Sequence, residues 1–135
     1  MDGSSILQGG EDVNHVMIIK VISSMEGKKK HFEGLDNVFK LHGLINYQEG
    51  AVVSRTLLDK DSSTLTVFAF DEGQRLSEHT APHDALVQVL DGKGRITIEG
   101  EKHEVRKGES ITMPADIPHA VEALTKFKMF LIMIK

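Results

Sequence analysis

The chain has 135 residues, of which 40% are hydrophobic and 27% are charged, and its formal net charge is −4. This length favours one domain with a single core, and the composition is typical of a folded protein rather than a disordered one. The excess of acidic residues argues against a nucleic-acid partner, which requires a basic surface. The chain contains no cysteine, which excludes disulfides, zinc–thiolate sites and thiol catalysis.

The apolar segments are too short or too interrupted for a membrane protein. The longest uninterrupted apolar run, Met129 to Ile134, is far shorter than the ~20 residues that a membrane-spanning helix needs. Met1 to Gly10 carries an acidic residue and no basic one, and Lys20 interrupts the apolar stretch from Val16 to Ile22. Neither segment has the features of a signal peptide. We therefore expect a cytoplasmic protein with no membrane partner.

Residues 1–34 are predicted to form an N-terminal extension to a domain that spans residues 35–135. Met1 to Asn14 is polar and glycine-rich, which indicates a partly disordered leader. Val16 to Ile22 is rich in β-branched residues and predicts a strand, although a short buried helix fits the same run. Asp36 to Ile45 predicts one short helix that begins with Asp36 as its N-cap and places its apolar residues on one face.

From Ala51 onward the chain consists of short runs rich in valine, isoleucine, threonine and phenylalanine, separated by turn sequences. Strands spaced about 8–12 residues apart with such turns predict an all-β sandwich or barrel. The predicted strands are 51–58, 64–70, 84–91, 94–99, 102–106, 110–113, 119–124 and 127–134. Residues predicted to face the interior are Val53, Leu57, Val67, Ala69, Val87, Val89, Ile96, Ile98, Ile111, Met113, Phe130 and Ile132.

A second set of apolar residues falls on the opposite faces of these strands. They are Leu58, Phe68, Phe70, Leu86, Leu90, Leu131 and Met133. A lone barrel would expose many of them, so they predict a partner surface and hence a homodimer. In such a dimer the Val16–Ile22 run would add a strand to the partner's sheet.

Three of the seven histidines stand in contexts that predict a metal site. His79 and His83 are separated by four positions, but Pro82 excludes a helix that would place both on one face. His119 follows a turn that contains two prolines and enters a new strand. Imidazoles from separate strands that meet inside a small barrel can bind a divalent metal.

The spacing of glycine and histidine between residues 73 and 92 resembles the first signature motif of the cupin superfamily, the small double-stranded β-helix barrels. Gly73, His79 and Gly92 occupy the expected places. Ala81 and Ala85 stand where the family has its second histidine and its glutamate. The first motif is therefore degenerate.

The second cupin motif is better preserved. Gly108, Pro114 and His119 fit their places, whereas Asp116 and Ala123 stand where glycine and asparagine are usual. Together the two motifs resemble those of a small single-domain, RmlC-like cupin over roughly residues 50–135. The resemblance implies a jelly-roll barrel and a divalent metal: zinc, iron, manganese, nickel or copper. The predicted fold is therefore all-β, a jelly-roll barrel preceded by an N-terminal extension that contains the short helix.

Two of the four ligands that the family uses, His79 and His119, are in place. We predict His83 as the third ligand, with Asp84 or Gln88 as an additional oxygen donor. Strand alternation from Ala85 points Gln88 away from the interior, so Gln88 is the weaker of these two candidate oxygen donors. Met113 and Gln88 are the residues predicted to contact a small-molecule ligand.

The sequence leaves three hypotheses for the function, each from a different class of protein. The leading hypothesis is a metal-binding cupin that binds a small organic molecule or acts on it, with the metal polarising a substrate oxygen. The rival is a metal-free binding or sensor barrel without turnover, and a third is a purely structural barrel. Fold alone does not choose between an enzyme and a binding protein.

Overall fold

The computed structural model describes residues 19–21, 29–35 and 37–135. Within these residues, the regular structure consists of ten β-strands and one turn of 3-10 helix. The strands are β1 (Ile19–Val21), β2 (Val52–Asp59), β3 (Ser63–Phe70), β4 (Arg75–His79), β5 (Asp84–Asp91), β6 (Lys93–Ile98), β7 (Glu101–Arg106), β8 (Ser110–Met113), β9 (His119–Ala123) and β10 (Phe127–Ile134), and the 3-10 turn is Leu41–Leu44. No helix in this part of the chain is long and apolar enough to cross a membrane.

The strands form two sheets that enclose one core. The larger sheet has the order β1-β2-β3-β10-β5-β8, and the smaller has the order β4-β9-β6-β7. The interior cluster contains Val87 and Phe127 of the larger sheet and Ile96 and Val121 of the smaller one. Side chains of both sheets therefore interdigitate between them, as in a jelly roll. The prediction of an all-β jelly-roll barrel is confirmed.

All eight predicted strands are present, and their ends differ from the prediction by at most one residue. The strand β4 was missed, because only Leu76 is apolar within its sequence Arg-Leu-Ser-Glu-His. The short helix is present as the turn Leu41–Leu44, which is much shorter than the predicted span of 36–45. Lys40 before it is extended and makes no side-chain cap, and the proposed cap Asp36 lies outside the described residues.

Part of the larger sheet is buried on both faces, because residues 37–51, here called the strap, pack on the outer face of β2 and β3. Ile45 of the strap is 2% exposed and belongs to a second apolar cluster with Val53, Val67 and Ala69 of the sheet, each of which is fully buried. Apolar contact rather than helix propensity therefore decides the path of this segment.

Polar contacts also hold the strap on the sheet. The ammonium group of the buried Lys128 donates a 2.6 Å hydrogen bond to the carbonyl of His42. The same group lies 5.0 Å from the centre of the Tyr47 ring, where a cation is attracted by the π-electrons. The hydroxyl of Tyr47 donates to the carboxylate of Asp91, and burial, together with this hydrogen bond, raises the pKa of Tyr47.

The strap reverses the predicted facing of several strands. Phe68, Phe70 and Leu131, predicted to face outward, pack into the barrel interior. Five residues predicted to face the interior face the strap instead: Val53, Leu57, Val67, Ala69 and Phe130. Alternation could not decide the direction, because both faces of these strands are apolar and both are buried.

The predicted homodimer therefore loses much of its original basis. Phe68, Phe70 and Leu131 line the interior, and Leu90 packs in the cluster under the strap. Within the described residues, β1 pairs with β2 of its own chain. The other residues of the Val16–Ile22 run, and the leader before it, lie outside the described residues. The homodimer stays a prediction.

Candidate metal site at the ends of two strands

Two histidines meet where β4 ends and β9 begins. His79 and His119 are partners in the antiparallel register of these strands, and their Nε2 atoms are 3.2 Å apart. The ring centres are 4.4 Å apart, with the ring planes inclined at 71°. His119 is buried and His79 is exposed. This pair is called the histidine dyad below.

A β-bulge in β4 brings His79 to the same face as His119. Leu76 pairs with Val121, and His79 pairs with His119, so three steps along β4 match two steps along β9. Without the extra residue, Glu78 would stand opposite His119. Bulges commonly re-aim a side chain next to a functional site. A polar strand with an irregular register gives no sequence signal for this bulge.

The backbone fixes the tautomer of both rings. Nδ1 of His79 is 2.7 Å from the carbonyl oxygen of Ser77, and Nδ1 of His119 is 3.2 Å from that of Ile117. A carbonyl oxygen only accepts hydrogen bonds, so each Nδ1 carries a hydrogen and donates it. In the neutral rings, the lone pairs of both Nε2 atoms then face each other and need a shared cation, either a proton or a metal ion.

Burial favours the neutral form of the inner ring. Desolvation lowers the pKa of His119, and the neighbouring His79 lowers it further, against the opposing effect of the hydrogen bond to Ile117. His119 therefore takes up a proton less readily than an ordinary histidine. Burial therefore favours the form of His119 whose Nε2 atom offers a lone pair.

The separation of the two nitrogens fits a shared metal ion. Two nitrogens bound at about 2.1 Å to one metal lie about 3.0 Å apart at a right angle and about 3.4 Å apart at a tetrahedral angle. The observed distance of 3.2 Å falls between these values. A hydrogen bond from a metal-binding histidine to a carbonyl is also the usual way in which its orientation is set. The dyad thus has the chemistry of two adjacent metal ligands.

His83, the predicted third ligand, is not brought into the dyad. Within the described residues, no three histidine, aspartate or glutamate side chains gather as a metal-binding group. Asp84, considered as an oxygen donor, accepts a 2.8 Å hydrogen bond from the amide of Ala115. The structure therefore assembles two of the three predicted histidine ligands.

The two residues predicted to contact a small molecule lie in different places. Met113 is buried in the interior cluster and pairs with Ala85 across β8 and β5. Gln88 pairs with Phe130, which faces the strap, and so lies on the outer face of the larger sheet. Met113 therefore faces the barrel interior, and Gln88 does not.

The loops that carry the two motifs are hydrogen-bonded to each other next to the dyad. The amide of Asp116 donates to the carbonyl of Ala81 at 2.7 Å, which joins the two loops. The amide of Glu99, in the turn between β6 and β7, donates to the carbonyl of Pro118 at 2.8 Å. Asp116 has a φ of +64°, in the left-handed region where a side chain is strained. The turn before His119 is therefore held in place at some cost in backbone energy.

Replacing Asp116 with glycine should raise the free energy of unfolding by about 0.5–1 kcal/mol, because glycine adopts a positive φ without strain. The amide that donates to Ala81 is retained in this variant. Asp116→Ala is the control and should lower the stability by a similar amount, because alanine tolerates this conformation less well than aspartate. Urea unfolding measures both. A less stable glycine variant would show that the aspartate side chain stabilises the turn.

Comparisons with known proteins agree with the fold. The sequence model of the cupin domain family matches residues 66–135, and the chain belongs to this family. A conserved protein of unknown function from Streptococcus pyogenes is 35% identical, with a TM-score of 0.74 over 83% of this chain and 97% of that one. A cupin superfamily protein from Desulfitobacterium hafniense is 27% identical, with a TM-score of 0.72 over 81% and 98% of the two chains.

Two further relatives are matched over only part of their length. A cupin 2 conserved barrel domain protein from Leptotrichia buccalis is 47% identical, with a TM-score of 0.70 over 72% of this chain and 47% of that one. An uncharacterized protein of Methanocaldococcus jannaschii is 38% identical over 39 residues, which are 29% of this chain and 31% of the relative. The names of these four relatives state no substrate or metal.

Proposed function

We propose that this cupin binds one divalent transition-metal ion through His79 and His119 and presents it to a small organic molecule. The observation that carries the proposal is the facing pair of Nε2 atoms, each left with a lone pair by the hydrogen bond at its Nδ1 atom. Imidazole nitrogen suits zinc, copper, iron and nickel. A metal in this place would act as a Lewis acid on a bound oxygen.

The residues of the chain have separate roles in this proposal. His119 holds its ring in the buried part of the site, and the bulge in β4 aims His79 at the same point. The carbonyls of Ser77 and Ile117 keep both rings in the tautomer that offers Nε2. Two protein ligands leave the other coordination positions to water or to the bound molecule.

The test is metal binding by variants of single histidines. His79→Ala and His119→Ala should each lower the affinity for Zn²⁺ at least about 100-fold, because each removes one of two protein ligands, whereas loss of an outer-shell partner alone costs 10–100-fold. His103→Ala is the matched control, since His103 lies on β7 beside Glu101 and should not change the affinity. Calorimetry measures binding, and circular dichroism verifies folding.

His83→Ala should leave Zn²⁺ affinity within about threefold of the wild-type value, because His83 is not gathered with the dyad. A loss as large as that of His119→Ala would show that His83 reaches the metal after all. Equal affinities of all four histidine variants and the wild type would overturn the proposal.

A second candidate is a metal-free barrel that binds a small molecule. One observation favours it, namely that the described residues offer the dyad no third histidine, aspartate or glutamate. In that case a ligand should raise the melting temperature equally with and without a chelator. Under the first proposal, the chelator should abolish the shift.

A further inference from the structure

The outer face of the smaller sheet is polar and carries a groove. Ile96 and Val121 face the barrel interior, so the residues on either side of them along their strands face outward. The residues that line the groove all belong to the four strands of this sheet. Ala120 and Thr97 lie on its two middle strands, and charged side chains of both signs surround them. The strap packs on the other sheet and does not cover this face.

Four outward-facing charged residues form one row across this sheet. Arg75 of β4 is the register partner of Glu122 of β9, and Glu122 is that of Arg95 of β6. Arg95 is in turn the partner of Glu104 of β7. From β4 to β7 the charges are positive, negative, positive and negative. A 3.2 Å salt bridge holds Arg95 and Glu122, and Glu104 lies 3.6 Å from Arg106 of its own strand. These side chains therefore lose little freedom when a second molecule covers them.

A further pair of opposite charges stands at the two edges of the sheet, beside this row. Glu78 of β4 and Lys102 of β7 line the groove from opposite sides. Lys102 is the register partner of Thr97, and Thr97 is that of Ala120, so two small residues separate the charges. Among the described residues, neither Glu78 nor Lys102 has an ion-pair partner. Both are exposed and available to another molecule.

Each of these six charges has one of opposite sign at the matching position on the other side of the sheet. In the strand order β4-β9-β6-β7, β4 matches β7 and β9 matches β6 about the centre line. The three matched pairs are Arg75 with Glu104, Glu122 with Arg95, and Glu78 with Lys102. A second copy related by a twofold axis parallel to the strands would place β4 on β7 and β9 on β6. Each of the six side chains would then face a charge of opposite sign on the other copy.

The net charge also favours this face for a contact between two copies. The six side chains sum to zero, whereas the whole chain carries −4. Two copies therefore repel each other on average, but not where these faces meet. An axis that runs across the strands would leave Glu122 and Arg95 facing like charges or the neutral Ala120 and Thr97. The axis parallel to the strands is therefore the favourable one.

We infer that the outer face of the smaller sheet binds a second copy of this chain, with Arg75 against Glu104 and Glu78 against Lys102 of the other copy. The partner is the same chain because the charge pattern is its own complement, as a twofold contact requires. The four strands span only about 15 Å, so the contact belongs to the small and transient class and is held mainly by ion pairs. It uses neither the metal site nor the apolar residues from which the homodimer was predicted.

Salt concentration tests the nature of this contact on the wild-type chain. Charges are screened beyond about 10 Å in 0.1 M salt and beyond about 3 Å in 1 M salt. In 0.1 M sodium chloride, the mean mass from sedimentation equilibrium should rise between about 10 μM and about 1 mM protein. In 1 M sodium chloride, the association constant should fall at least about tenfold. A contact through apolar residues would persist, because this salt does not weaken the burial of apolar surface.

Two charge-reversal variants test which residues meet. Arg75→Glu puts a negative charge opposite Glu104 of the other copy, and Glu104→Arg puts a positive charge opposite Arg75. Each variant alone should associate with itself at least about tenfold more weakly than the wild type, because like charges then face each other. Arg75→Glu, labelled with a fluorophore at its amino terminus, should bind Glu104→Arg within about threefold of the wild-type value, because every charge again meets its opposite.

A third variant controls for net charge. Glu49→Arg changes the net charge as Glu104→Arg does, but Glu49 lies in the strap. Labelled Arg75→Glu should therefore bind Glu49→Arg at least about tenfold more weakly than it binds Glu104→Arg. Circular dichroism verifies that the variants fold, and the salt comparison on the wild-type chain decides if one of them does not.

A wild-type chain that keeps one mass over this concentration range in 0.1 M salt overturns the inference. Equal association in 0.1 M and 1 M salt also overturns it, because the contact would not be ionic. So does equal binding of labelled Arg75→Glu to Glu104→Arg and to Glu49→Arg, because Arg75 would then not face Glu104. None of these measurements involves a metal ion, so their outcome is independent of the proposed metal site.

Discussion

Replacing Gly94 with alanine should lower the free energy of unfolding by about 3 kcal/mol or more, because the new Cβ atom has no space. It would lie 2.6 Å from two carbons of the Phe127 ring. That ring is fully buried, and its centre is 5.0 Å from that of Phe70, so it cannot move away. This contact joins β6 of the smaller sheet to β10 of the larger one.

Three other glycines provide the controls for this prediction. Gly43 has open space and no positive φ, so its alanine variant should be within about 0.5 kcal/mol of the wild type. Gly108 has open space but a φ of +89°, so alanine should cost about 1–2 kcal/mol of strain. Gly92 combines a φ of +74° with a Cβ position 1.9 Å from the carbonyl oxygen of Lys126, and its variant should be the least stable.

Guanidinium unfolding of the four alanine variants measures these differences. The ranking separates the space requirement at Gly94 from the conformational requirement at Gly108, and Gly92 combines the two. Equal losses at Gly94 and Gly43 would contradict the close approach of Phe127 to β6.

Replacing Ile45 with alanine should lower the free energy of unfolding by about 2–4 kcal/mol, as for a residue of a barrel core. Ile45 lies in the strap and is 2% exposed, packed with Val53, Val67 and Ala69 of the larger sheet. The alanine variant would leave a cavity between the strap and the sheet. We therefore expect the strap to unfold together with the barrel in one transition.

Val38→Ala is the matched control, because Val38 belongs to the same segment and its side chain is fully exposed. Its stability should stay within about 0.5 kcal/mol of that of the wild type. Thermal unfolding followed by circular dichroism measures both variants. If Ile45→Ala were as harmless as Val38→Ala, the strap would be an appendage rather than part of the fold.

The histidine dyad shows where prediction from local sequence stops. His79 and His119 were predicted as ligands from the resemblance to the cupin motifs, in which glycine and proline residues fix the places of the histidines. The bulge between Leu76 and His79 could not be predicted, because it depends on how β4 pairs with a strand some forty residues away. His83 has the same residue type and a similar context, yet only the three-dimensional arrangement excludes it from the pair.

Local sequence was enough to predict eight strands after residue 50, the glycine turns and the all-β class, because runs of β-branched residues and positive-φ turns act over a few residues. The jelly-roll barrel was predicted from the resemblance to the cupin motifs. Tertiary structure alone decided which face of β3 and β10 lies inside. Both faces are apolar, so Phe68 and Val67 are equally suited to a core, and the choice depends on the strap covering one of them. The two-residue alternation of side chains along a strand is a local property. Which face of the strand is covered depends on contacts between residues far apart in the chain.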